Sequence, residues 1–211
     1  MTKQSQTRRK VMIWDQAQSL IQAGDTSAVP RLIRDLRTSR DCERRVAAAY
    51  TLGFLNDRRA AKPLIHVISN RRISPRLRGQ AAEALGYLFT FRTDRLAFST
   101  LLKQLEDPSP EVRFWSVFAI GQMGARKAIS ALTKISQEDK ANLPGWWSIA
   151  KEAKAAIRQI RKQNPAARQK QLRTNRPLPA RRPKRGTPPM TSLAPKQKAP
   201  RRGAFAKIEH A

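Results

Sequence analysis

The 211-residue chain has few of the residues that form disulfides, metal centres or membrane spans. It contains one cysteine and two histidines, which excludes an intramolecular disulfide and a multi-cysteine metal site. No apolar run approaches the ~18 residues of a membrane-spanning helix. The apolar stretch near the N-terminus, Val11 to Trp14, is too short for a secretory signal. We therefore expect a cytoplasmic protein with no metal, no cofactor and no integral membrane association.

Acidic residues are also scarce. Only 15 Asp and Glu stand against 43 Lys and Arg, which gives a formal net charge of +28 and a sequence pI of about 11.7. A charge of this size is typical of a protein with a polyanionic partner, such as nucleic acid, an anionic membrane surface or an acidic protein. It carries no information about the fold.

The composition changes near residue 164. Residues 164–211 contain 13 Lys and Arg, a single acid, Glu209, and eight of the 14 prolines. Their apolar residues are sparse and show no helical period, so they cannot bury enough surface to offset the entropy of ordering. The sequence therefore predicts three parts: a basic N-terminal arm over 1–9, a folded body over 10–163 and a disordered basic tail over 164–211.

The body repeats a helical pattern. Gly53, Gly86 and Gly121 lie 33 and 35 residues apart, and each follows a Leu or Ile directly and an arginine by eight residues. Apolar residues upstream recur at the i, i+3, i+4, i+7 spacing of an amphipathic helix. One helix pair cannot cover its own apolar face, so several pairs must stack on a shared core. We predict an all-α fold, a short right-handed α-solenoid of about four helix pairs with an N-terminal cap helix.

The arginine, an Ala-Ala pair and the Leu-Gly dipeptide recur together, and this pattern resembles the short HEAT-like repeats of the bilin lyase group. The resemblance covers roughly residues 28–160 and implies a HEAT-like helix-pair fold. Arrays of this kind serve as scaffolds, nucleic-acid binders, chaperones and a few enzymes. The resemblance also implies that each arginine pairs with an acid at a turn. Asp107 is expected to form an ion pair with Arg113. The second repeat has Ser74 and no acid at this turn, so it is expected to lack the ion pair.

Basic residues recur at the turns that follow the second helices. In a solenoid such turns stack along one edge at roughly 10 Å, the packing distance of helices, and a nucleic-acid backbone presents phosphates at closer spacing. The structural alternative is that these cations complement helix dipoles. We name the predicted surface the cationic edge, and it comprises Arg58, Arg59, Arg92, Arg95, Arg126, Lys127, Arg161 and Lys162. The tail adds further cations, for which we favour contact with a polyanion. The alternatives are a targeting signal and flexible binding to a partner protein. These cations are Arg181, Arg182, Lys184, Arg185, Arg201 and Arg202.

The opposite edge, formed by the turns between first and second helices, divides by charge. Its N-terminal half is basic and its C-terminal half is acidic, which uniform solubilising charge would not produce. The residues are Arg37, Arg40, Arg71 and Arg72 in the basic half, and Glu106, Asp107, Glu138 and Asp139 in the acidic half.

The second helices carry a further candidate surface. Trp115 stands where other repeats have Ala47 and Gln80, and so variable a position is typical of a side chain that faces a concave groove. The alternative is that Trp115 packs in the core, which is the commoner role of a tryptophan. Glu83 is the one acid that we would test as a chemical group. The predicted partner groove comprises Gln80, Glu83, Phe114 and Trp115.

The sequence favours a non-catalytic module that lays its cationic edge along DNA or RNA. The alternative is an assembly adapter or chaperone whose groove binds an acidic protein. A chromophore lyase would need acid–base residues in the groove, and a repair glycosylase would need a carboxylate flanked by tryptophans. Asp94 is the candidate carboxylate, but it lies in a turn far in sequence from Trp115. Since neither set of residues is found, no catalytic residues are predicted. Trp146 and Trp147 are expected to cap the C-terminal end of the core.

Overall fold

A computed structural model describes residues 3–163 of the chain. The predicted tail, with Arg181, Arg182, Lys184, Arg185, Arg201 and Arg202, lies outside the described residues. Residues 3–163 form nine α-helices and no β-strand. The helices are α1 (Lys3–Ala23), α2 (Val29–Thr38), α3 (Cys42–Phe54), α4 (Ala61–Ser69), α5 (Pro75–Leu88), α6 (Arg95–Gln104), α7 (Pro110–Met123), α8 (Ile129–Glu138) and α9 (Ile149–Lys162).

The helices pack in two layers. The odd-numbered helices α1, α3, α5, α7 and α9 pack side by side in chain order, and each even-numbered helix packs against the odd-numbered helix that follows it. One apolar core runs through the stack from Ala28 to Ile160. The predicted all-α solenoid of helix pairs is thereby confirmed. No helix within residues 3–163 combines the length and apolar character that crossing a bilayer requires.

Short polar side chains and prolines define where the helices begin. Asp41 accepts hydrogen bonds from two backbone N–H groups in the first turn of α3, and Asp94 does the same for α6. Both satisfy N–H groups that have no partner within the helix. Pro75 and Pro110 occupy the first turns of α5 and α7, where the missing N–H costs nothing.

Close approach of the odd-numbered helices explains the repeating glycine. A Cβ atom at Gly53 would lie 2.7 Å from the Cα of Ala84, and one at Gly86 would lie 2.8 Å from the Cα of Ala119. Both distances are shorter than van der Waals contact, and the atoms met are backbone atoms that cannot move aside. The repeated Leu-Gly therefore marks the crossing point of adjacent helices.

The two ends of the stack differ from the prediction. Helix α1 begins at Lys3, so it includes most of the basic arm predicted over 1–9 as well as the cap helix predicted after it. This segment lacks apolar periodicity, but Gln, Lys and Arg are good helix formers. Ile13 and Ala17 pack against Ala47 of α3, which places α1 as the cap of the odd-numbered layer.

At the C-terminal end, only one of the two tryptophans caps the core. Trp146 packs against it, with ring centroids 5.7 Å from Phe114 and 5.1 Å from Trp115. Trp147 is exposed, and its indole N–H donates to Glu152 over 2.7 Å. The expectation that both rings close the core is therefore wrong for Trp147.

Candidate functional site

All eight cations of the cationic edge are exposed. They lie in the turns that follow odd-numbered helices or in the adjoining helical turns. Arg58 and Arg59 lie in the 3-10 turn before α4, and Arg126 and Lys127 lie in the 3-10 turn before α8. Arg92 lies in the segment that joins α5 to α6, and Arg95 is the first residue of α6. Arg161 and Lys162 lie in the last turn of α9.

Hydrogen bonds join the ends of the odd-numbered helices in repeat order. Arg59 Nη2 donates to the Thr26 carbonyl in the preceding turn over 3.2 Å. The Phe91 N–H donates to the Gln122 carbonyl in α7 over 3.0 Å. Gln159 Nε2 of α9 in turn donates to Gln122 Oε1 over 3.0 Å. Adjacent repeats therefore meet at these ends, and the cations that follow the odd-numbered helices lie along one side of the described body.

One cation of the edge is neutralised locally. Arg59 forms an ion pair with Asp57, with Nη2 2.6 Å from Oδ2 and Nε 3.0 Å from Oδ1. The side-chain and backbone hydrogen bonds from Arg59 lower the pKa of Asp57. Within residues 3–163 the structure pairs none of the other seven edge cations with a carboxylate. Arg126 and Lys127 follow Ala125 in the position that Asp57 holds in the earlier repeat.

The arginines of the repeat pattern pair across neighbouring repeats. Arg78 and Asp107 form a bidentate ion pair, and their side chains are only 4% and 0% exposed. Arg113 binds Asp139 in the same way, at 2.7 Å and 3.2 Å. The expectation that Asp107 serves Arg113 and that the second repeat lacks a pair is therefore wrong. Each arginine instead reaches the acid that follows the next even-numbered helix.

Arg45 is the member of this series that takes a different partner. The residue that caps the C-terminus of α4 is Asn70, where α8 has Asp139. Arg45 Nε donates to the Leu36 carbonyl over 3.0 Å. The acidic half of the opposite edge is also weaker than the sequence indicates, because Asp107 and Asp139 are bound to arginines.

The predicted partner groove is not an open surface. Its four side chains are between 1% and 6% exposed: Gln80, Glu83, Phe114 and Trp115. The expectation that this position faces a groove is wrong, because the neighbouring helix makes room for the large ring. A Cβ at Gly79 would lie 2.9 Å from Trp115 Cδ1, so the absent side chain of one repeat accommodates the indole of the next.

Aromatic rings connect the odd-numbered helices. Adjacent ring centroids are 4.3–5.7 Å apart, within the range of favourable aromatic pairs. We name this set the aromatic row, and it comprises Trp14, Tyr50, Phe54, Tyr87, Phe118 and Trp115. Four of the rings recur at two positions of the repeat: Tyr50 and Phe118 stand three residues before the repeated glycine, and Phe54 and Tyr87 follow it directly. Sequence reasoning missed the row because Glu83 and Gln122 interrupt these two positions in the other repeats.

Glu83 is buried beside the aromatic row. Its carboxylate accepts hydrogen bonds from Gln80 Nε2 over 2.6 Å and from the Tyr87 hydroxyl over 3.3 Å. Burial raises the pKa of Glu83 to about 7, against the lowering effect of these two hydrogen bonds. Gln80 Oε1 meets no hydrogen-bond donor among the described residues. The carboxyl group is an unusual proton-binding site, but so deep a burial gives a substrate no open approach.

Replacing Glu83 by glutamine is expected to stabilise the protein at pH 8 by up to about 3 kcal/mol, the equivalent of the pKa difference between 4.5 and about 7. The folded state holds the proton more tightly than the unfolded state. Stability from the neutral form is therefore complete below pH 4.5 and is lost as the pH rises through about 7. Urea unfolding of both proteins at pH 5 and pH 8 measures the difference.

The control for this prediction is Glu106→Gln, which removes an exposed carboxylate. Its effect on stability is expected to be small and independent of pH. The prediction fails if the difference in stability between Glu83→Gln and the wild type is the same at pH 8 as at pH 5. That result would show that ionising Glu83 in the folded state costs little free energy.

Among residues 3–163, no three His, Cys, Asp or Glu side chains are grouped as metal ligands. Two family models match the chain, HEAT repeats over residues 71–144 and the PBS lyase HEAT-like repeat over residues 44–70. No curated protein matches it in sequence. The two matches adjoin and run from the start of α3 to the loop that follows α8, which confirms the resemblance found in the sequence. The chain therefore contains HEAT-like repeats, and their stacked helix pairs form a repeat scaffold for interactions.

Proposed function

We propose that the scaffold of residues 3–163 binds the sugar–phosphate backbone of nucleic acid along the cationic edge, without catalysing a reaction. One observation carries the proposal: seven of the eight edge cations are exposed and have no carboxylate partner in the described part of the chain. Cations of this kind attract mobile counterions or phosphates. Binding a phosphate backbone releases counterions from it, which supplies affinity with little sequence preference.

Helix dipoles explain the placement of only some of these cations. A helix dipole favours positive charge in the last turn, as for Arg161 and Lys162 at the end of α9. Arg95 is instead the first residue of α6, and Arg126 and Lys127 lie in the turn directly before α8. Positive charge at a helix N-terminus is disfavoured by the dipole. Their recurrence there supports selection for a surface that binds anions.

The net charge of the chain supports the same partner. The excess of Lys and Arg is not confined to residues 164–211, because 30 of the 43 lie in residues 1–163. Two of the acids near the opposite edge, Asp107 and Asp139, are bound to arginines, which leaves their charge locally compensated. In this proposal the 13 cations of residues 164–211 add to the attraction without determining which edge binds.

Purification of the full-length protein at low salt, without nuclease, tests the proposal. We expect nucleic acid to co-elute, so that the ratio of absorbance at 260 nm to that at 280 nm is well above the value for protein alone. Treatment with nuclease or 1 M salt is expected to restore the protein value. An acidic protein that stays bound in a fixed ratio after nuclease treatment would contradict the proposal and favour the adapter alternative.

A further inference from the structure

Four odd-numbered helices are each followed by a residue with a positive φ. The angles are 61° at Gly24, 53° at Asn56, 57° at Phe91 and 70° at Gly124. Glycine adopts this left-handed conformation freely and asparagine tolerates it, whereas a bulky side chain is strained there. The turn after α5 therefore places phenylalanine where the equivalent turns have residues suited to the conformation.

Packing does not explain the phenylalanine. Phe91 is 62% exposed, so its ring contributes little to the core, and its backbone is held by the N–H bond to Gln122. Strained residues that the surrounding structure holds in place cluster at functional sites. An exposed ring at a strained position indicates a role in contact with another molecule.

The turn that carries Phe91 is also longer than its equivalent. The helix cap Asp94 follows Gly86 by eight residues, whereas the cap Asp57 follows Gly53 by four. The additional residues separate α5 from α6 on the side of the molecule that carries the cationic edge. The additional residues and the exposed ring of Phe91 therefore lie in the same turn.

The surroundings of Phe91 combine apolar and cationic groups. Leu96 in the first turn of α6 is another large hydrophobic side chain that is exposed. Arg92 and Arg95 of the cationic edge lie within four residues of Phe91, and both are exposed. An aromatic ring beside cations is the combination with which proteins bind single-stranded nucleic acid, because bases stack on the ring while cations hold the backbone.

We propose that Phe91 is a stacking platform for an unpaired base, with Arg92 and Arg95 binding the flanking phosphates, so that the ligand class is single-stranded nucleic acid. This inference rests on the proposed function. The bases of a duplex are already stacked on one another, so an exposed ring gains contact only from an unpaired base. A membrane surface is the less favoured partner, because such binding grows with the buried apolar area and this turn offers one ring and one leucine.

Fluorescence anisotropy with the full-length protein tests this inference. The probes are a labelled 20-nucleotide oligo(U) and the same strand paired with oligo(A). Phe91→Gly is expected to weaken binding of the single strand at least about fivefold, the lower end of the stacking range, and to leave duplex binding unchanged. Glycine is the residue at two equivalent turns, so this variant is expected to fold. Phe91→Trp is expected to keep single-strand affinity.

Val11→Ala, which shortens an exposed apolar side chain on α1, is the matched control and is expected to bind both probes like the wild type. If the wild-type protein binds neither probe at low salt, the proposed function fails. If it binds both and Phe91→Gly binds the single strand equally well, stacking on Phe91 is refuted while the proposed function stands. Binding of the wild type to phosphatidylserine vesicles that is lost in Phe91→Gly would overturn the inference in favour of a membrane.

Discussion

Replacing Asp107 by alanine is expected to destabilise the protein by about 3–5 kcal/mol, the usual cost of removing one partner from a buried ion pair. Arg78 would remain charged inside the stack, with 4% of its side chain exposed and its ion-pair partner removed. Asp107 Oδ1 also accepts the N–H of Ser109, so the turn before α7 would lose a hydrogen bond. Guanidinium unfolding followed by far-UV circular dichroism measures the loss.

Two further variants interpret this result. Glu106→Ala removes the adjacent exposed acid and is expected to change stability by no more than about 0.5 kcal/mol. Replacing both partners, Arg78→Met with Asp107→Leu, removes the buried charge altogether and is expected to be far less harmful than Asp107→Ala alone. If Asp107→Ala costs no more than Glu106→Ala, the buried pair does not hold the repeats together.

Reversing three charges on the cationic edge is expected to weaken binding of duplex DNA about 500-fold at 0.1 M salt. The variant is Arg58→Glu, Arg126→Glu and Lys127→Glu. Each phosphate contact contributes about 0.9 to the slope of log association constant against log salt concentration. One contact therefore raises the association constant about eightfold at 0.1 M salt relative to 1 M salt. Three contacts therefore contribute about 500-fold, and anisotropy titrations of the full-length proteins measure it.

The opposite edge supplies a control with the same change in net charge. Arg37, Arg71 and Arg72 are exposed, and reversing all three is expected to reduce affinity much less. Residues 164–211 are retained in every protein, so their cations contribute equally. Equal losses from the two sets would show that the overall charge of the chain, rather than the cationic edge, determines binding.

The fold could be predicted from the sequence because the same pattern of apolar residues and glycine recurs in each repeat. Apolar residues at helical spacing define the buried faces, and the regular Gly53 and Gly86 mark where adjacent helices touch. The exposure of the edge cations also followed from their place in turns. The start of α1 did not, because its first turns, KQSQTRRK, are polar and have no apolar period to reveal a helix.

The partners of the site residues depend on contacts between repeats, which the order of residues does not display. Arg78 reaches Asp107 in the next repeat rather than an acid in its own turn. Trp115 is buried because the neighbouring helix has Gly79 opposite it, and the two residues are far apart in sequence. The left-handed conformation of Phe91 is equally hidden, since phenylalanine itself gives no sign of it.

The salt dependence of duplex binding tests the central claim most directly. The logarithm of the association constant is plotted against the logarithm of salt concentration for the wild type and for the variant reversed at Arg58, Arg126 and Lys127. We expect the slope of the variant to be shallower by about 2.7, because three phosphate contacts are lost at about 0.9 each. Equal slopes for the two proteins, or a wild-type affinity that salt does not change, would contradict a cationic edge that binds phosphates.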